Sequence, residues 1–103
     1  MMNFSNLVQQ AQQMQRKVNK VKKDFDEKEF DFSSQNNLIM GKIKGNLEII
    51  SLHIDSSMMN QENKEDVEDL LMITINQMIQ KVSQEREDTL NKVTNGVDVS
   101  AFL

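Results

Sequence analysis

Apolar side chains recur near the start of the chain in steps of three and four: Phe4, Leu7, Ala11, Met14, Val18, Val21 and Phe25. That spacing puts them on one face of an α-helix, as a heptad seam. Phe4, Ala11, Val18 and Phe25 take one position of the repeat, and Leu7, Met14 and Val21 take the other. The residues between them are mostly Gln, Asn, Lys and Arg, and neither Gly nor Pro interrupts them. The pattern predicts a helix over residues 3–23, followed by a charged, frayed end at 24–28.

The period then changes from helical to two. Residues 29–33, Glu-Phe-Asp-Phe-Ser, alternate polar with apolar and read as a short, half-buried strand. Ser34-Gln35-Asn36-Asn37 is a turn by composition. A second strand is expected over 38–44, with Ile39, Gly41 and Ile43 on one face. Gly45-Asn46 fits a two-residue hairpin connection in which the glycine takes the positive φ of a type II′ turn. A third strand over 47–54 would carry Ile50, Leu52 and Ile54 on one face and Ser51 and His53 on the other. Three consecutive short strands make an antiparallel meander.

A polar connector at 55–63 leads to a second helix over 64–94. Its apolar positions are Val67, Leu70, Leu71, Ile75, Met78, Val82, Leu90 and Val93, and Ile73 and Ile79 widen the stripe. Asn63 is its expected N-cap, acidic residues crowd its first turns, and Asn95-Gly96 stops it. The fold class is therefore α+β: helix, three-stranded meander, helix, in one domain over residues 1–96 with a short tail at 97–103. Strands of this length span roughly 25 Å. The helices run to roughly 33–45 Å, so one small sheet cannot cover both stripes. A homodimer is the economical way to bury the surplus.

Composition narrows the functions available. The 103 residues contain no Cys, which removes disulfides, thiolate metal sites and cysteine nucleophiles, and no apolar run is long enough to span a bilayer. A soluble, cytoplasmic protein is expected. Trp and Tyr are absent and the five Phe lie in apolar patterns, which disfavours a base-stacking surface. His53 and Asp55 are the one conceivable acid–base pair, but no nucleophile motif accompanies them, and an exposed strand residue beside a turn-starting aspartate explains both. No phosphate loop or calcium loop occurs. No enzyme activity, cofactor, metal, membrane or small-molecule substrate is expected.

Charge adds the remaining information. Arg16, Lys17, Lys20, Lys22 and Lys23 give residues 1–23 a balance of +5 with no carboxylate among them. All 16 acidic side chains and the other seven basic ones lie in the remaining 80 residues, a balance of −9 within the overall −4. Arg16, Lys20 and Lys23, spaced i, i+4, i+7, share a face roughly opposite the seam, flanked by Lys17 and Lys22. Such a stripe suits an anionic polymer, although a solvated helix face has the same composition.

The element order and several stretches resemble the YbaB/EbfC family of bacterial nucleoid-associated proteins. The matching residues are Asn6-Leu7 and the Gln10–Gln15 run AQQMQ with its preceding Gln, LIMGKIKG at 38–45, LHID at 52–55, and Val67-Glu68-Asp69-Leu70-Leu71 with Asn76. The resemblance implies a cytoplasmic, nucleoid-associated homodimer whose sheets meet centrally while paired helices project as arms, and which binds double-stranded DNA. Asn36-Asn37 depart from the glycines usual in the family before the second strand, and Ser56 from its frequent proline. Two readings follow. One is a DNA-binding homodimer with little or no sequence specificity, gripping phosphates through the helix-one stripe. The other is an acidic, coiled-coil-like adaptor for another protein, with DNA a weak or indirect partner.

Overall fold

The structure, a computed structural model, describes residues 4–94. Helix α1 (Phe4–Glu27) leads into strands β1 (Glu29–Ser33), β2 (Ile39–Lys44) and β3 (Ile49–Ile54), and helix α2 (Lys64–Thr94) follows two short 3₁₀ turns. The sheet is antiparallel with β2 in the middle. Glu29 to Ser33 pair with Lys44 to Met40, and Ile39 to Lys42 pair with Ile54 to Ser51, after which a bulge brings Ile43 opposite Ile49. The expected stop at Asn95-Gly96, the tail at 97–103 and the first residue of the predicted helix lie outside the described residues.

The alternation in β2 sends Ile39 and Ile43 inward, where they are fully buried with Phe32 of β1, Phe25 of α1, and Met78 and Val82 of α2. Burying each such side chain contributes about 1.5–3 kcal/mol, so these six residues fix the sheet against both helices. A second cluster lies beyond the sheet, where Val18 and Leu90 are buried with Met14, Val21 and Val93 packed around them. Phe25 meets Met78 and Val82 while Val18 meets Leu90, so the helices run antiparallel. The molecule measures 73 × 18 × 17 Å. Its length comes from this helical arm, which reaches past the sheet.

Three local expectations are corrected. First, α1 does not fray at Asp24 but continues to Glu27, because Phe25 is the last seam position and sits in the main core. Lys28 N–H donates to the Phe25 carbonyl at 3.0 Å and closes the helix. Second, the β2–β3 connection is a three-residue loop. Leu47 N–H donates to the Lys44 carbonyl at 2.8 Å and Lys44 N–H to the Glu48 carbonyl at 2.9 Å. The positive φ, 71°, falls on Leu47 rather than on the glycine, as in a type I turn closed by a bulge. Consequently β3 begins at Ile49. Third, the turn before α2 is capped by Asn60, whose side-chain oxygen accepts from Asn63 N–H at 2.9 Å, and Asn63 instead donates its amide to the Ser57 carbonyl. An extra 3₁₀ turn, Gln61–Asn63, displaces the cap by three residues.

Candidate nucleic-acid interface

Helix α1 places its five cations unequally. Arg16, Lys17, Lys20 and Lys23 are exposed, whereas Lys22 is half-buried on the flank nearer the seam. The reason is angular: at about 100° per residue, Arg16, Lys20 and Lys23 fall roughly opposite Val18, and Lys22 lands some 40° from it. Among the described residues, Arg16, Lys17, Lys22 and Lys23 have no carboxylate within ion-pair distance. Lys20 approaches Asp24 at 3.0 Å, an exposed i, i+4 pair. Such a pair contributes well under about 1 kcal/mol, and a phosphate can replace it. No acidic residue occurs in α1 before Asp24, so its five cations, all between Arg16 and Lys23, place the positive field on the half of α1 nearer the sheet, while residues 4–15 carry no charge.

The base of the arm is electrically closed. Lys44 meets Glu27 at 2.9 Å, Lys28 meets Glu85 at 3.4 Å, and Arg86 meets Asp26 at 3.7 Å. Glu27, hydrogen-bonded to the Lys44 ammonium, raises the pKa of that lysine. These contacts tie the end of α1 to the sheet and to α2, and they occupy cations that sequence alone leaves free. The seam divides in the same way. Val18 and Phe25 are buried and Met14 and Val21 half-buried, while Ala11 is exposed, Leu7 is 43% exposed and Phe4 78% exposed.

The remaining polar residues have local duties. Asp55 accepts hydrogen bonds from the Ser57 hydroxyl and, at 3.0 Å, from Ser57 N–H. Those two bonds hold its carboxyl below the usual aspartate range, and they cap the turn that follows β3. His53 lies exposed opposite Met40. Among the described residues no group of three metal-ligating side chains forms, and no helix is long and apolar enough to cross a membrane.

One further surface was not singled out in the sequence. β3 is an edge strand whose Ile49, Ile50 and Leu52 are all exposed, Leu52 by 49%. Alternation identifies the apolar face, but only the strand order reveals that no helix covers it.

Fold and surface together define a small α+β protein with a helical-hairpin arm that is basic along one helix. The chain belongs to the YbaB/EbfC DNA-binding family, whose profile matches residues 1–97. It is 37% identical over 90 residues to a nucleoid-associated protein of Ureaplasma urealyticum, covering 87% of this chain and 90% of that one. It is also 32% identical over 102 residues to a nucleoid-associated protein of Clostridium novyi, covering 99% and 90%. The crystal structure of an uncharacterised Helicobacter pylori protein shares the fold, with a TM-score of 0.72 at 23% identity, over 85% of this chain and 92% of that one.

Proposed function

We propose that this protein is a nucleoid-associated protein that binds double-stranded DNA as a homodimer, with little or no sequence specificity, through the α1 stripe of each arm. The observation that carries the reading is the exposure of Arg16, Lys17, Lys20 and Lys23 on a helix with no carboxylate before Asp24. Family membership supports DNA as the partner, and the relatives' names support the nucleoid as its place. Lysines grip phosphate as point charges, and Arg16 is the stripe's one fork-shaped donor, so backbone contact outweighs base readout. The exposed apolar edge at β3 supports a second copy pairing there, since an unpaired edge with Ile49, Ile50 and Leu52 is a template for another strand.

Purified protein titrated onto two duplexes of unrelated sequence tests this reading. It should shift both with affinities within a few-fold of each other. Failure to bind either at low salt would leave the protein-adaptor reading in its place.

A further inference from the structure

Opposite the apolar seam, α1 carries a second row with the same heptad spacing: Asn6, Gln9, Gln13, Arg16, Lys20 and Lys23, in steps of three and four. All six are exposed. The row changes character along its length, its first three members ending in amides and its last three in cations. The first half therefore has no charge with which to hold phosphate. Its amides are also unoccupied within the fold. Gln15 and Asn19, which lie off the row, bond each other at 3.0 Å. Among the described residues, Asn6, Gln9 and Gln13 make no side-chain hydrogen bond.

Given DNA binding through the α1 stripe, as proposed above, we infer that the amide half of α1 lies in the major groove, with Gln9 and Gln13 hydrogen-bonding to base edges while Arg16, Lys20 and Lys23 hold phosphates beside it. Because the row is continuous, a helix face seated on phosphate by its cations turns its amides toward the same duplex. Width also fits. Every residue from Phe4 to Gln13 is exposed, so this stretch presents about the breadth of one helix, roughly 10–12 Å. The major groove is about 12 Å wide and admits it, whereas the body's cross-section of 18 × 17 Å exceeds that width. Asn6 to Gln13 covers about 10 Å along the helix, or about three base pairs at roughly 3.4 Å each. A Gln amide offers one acceptor and two donors, which match the N7 acceptor and N6 donor of adenine. Ordering these long, exposed side chains costs conformational entropy that offsets much of the gain, so preference among duplexes stays within a few-fold.

A double variant, Gln9→Ala with Gln13→Ala, tests this, since alanine at two exposed helix positions leaves the fold intact. It is titrated beside wild type, over a series of salt concentrations, onto an ordinary duplex and onto the same sequence built with 7-deazapurines. Those bases lack the N7 acceptor of the major groove but keep every phosphate. On the ordinary duplex the variant should bind about fivefold more weakly at each salt, with an unchanged log–log salt slope because no charge is lost. On the 7-deazapurine duplex the two proteins should bind within about twofold of each other. Equal affinity on the ordinary duplex would overturn the groove assignment while leaving phosphate binding by the cations in place. A fivefold gap that persists without N7 would also overturn it, by moving the amides onto the backbone. A wild type that binds neither duplex at low salt would overturn both this assignment and the DNA-binding reading beneath it.

Discussion

Gly45 shows how one residue couples the two ends of the fold. A Cβ at this position would collide with the Phe25 carbonyl oxygen and crowd its ring, while the Gly45 N–H donates to the Lys28 carbonyl at 2.8 Å. The glycine is therefore required by close approach, not by a left-handed backbone. The sequence marks it as a turn residue but cannot show which constraint it answers, because Phe25 is 20 positions away. Asn36 and Asn37 present the complementary case: their φ values of 59° and 55° occupy the left-handed region. Asparagine tolerates that region better than most residues, which suits the pair to this turn. Gly45→Ala should lower stability by about 1–3 kcal/mol, because the obstruction is backbone and cannot swing aside. Urea denaturation followed by circular dichroism measures this, and an unchanged midpoint would mean that α1 and the hairpin do not meet at this point.

At the scale of elements, both helices and all three strands were legible from periodicity, since each buries one face and so writes its period into the sequence. What periodicity cannot say is how far along a stripe the cover extends. The seven seam positions of α1 look equivalent, yet Val18 is fully buried and Leu7 is half-exposed among the described residues. Likewise, Ile73 and Ile79 extend the α2 pattern but stay exposed, while Thr74 is buried in the same helix. The pattern counts apolar residues, whereas burial depends on where the sheet and α1 lie. Val18→Asp should therefore cost at least about 3 kcal/mol, a carboxylate being forced into a site with no partner. Leu7→Asp should also destabilise, but by less. Thermal melts of the two variants give the order, and a reversed order would mean that the arm's packing is centred nearer its tip.

The whole molecule is an elongated body with an apolar edge at one end of its design and a basic arm at the other. Strand order, which depends on chain-distant pairing, exposes that edge, and no local pattern announces it. If β3 pairs with a second copy, light scattering at micromolar concentration should return about twice the 11.9 kDa chain mass. Ile50→Lys should shift the balance toward monomer by placing like charges together at the joint. A monomeric wild type would remove the dimer from this account.

DNA binding through α1 is the central claim, and a salt titration of one variant tests it most directly. Replacing Arg16, Lys20 and Lys23 together by Gln keeps helix propensity while removing three cations from each arm. A dimer that neutralises about six phosphates should give wild type a log–log salt slope of roughly −5 on duplex DNA. The variant should bind unrelated duplexes more weakly by a similar factor and with a shallower slope, at unchanged mass and helix content. A variant that binds as tightly as wild type at the same salt, with the same slope, would contradict the assignment of this stripe as the DNA surface.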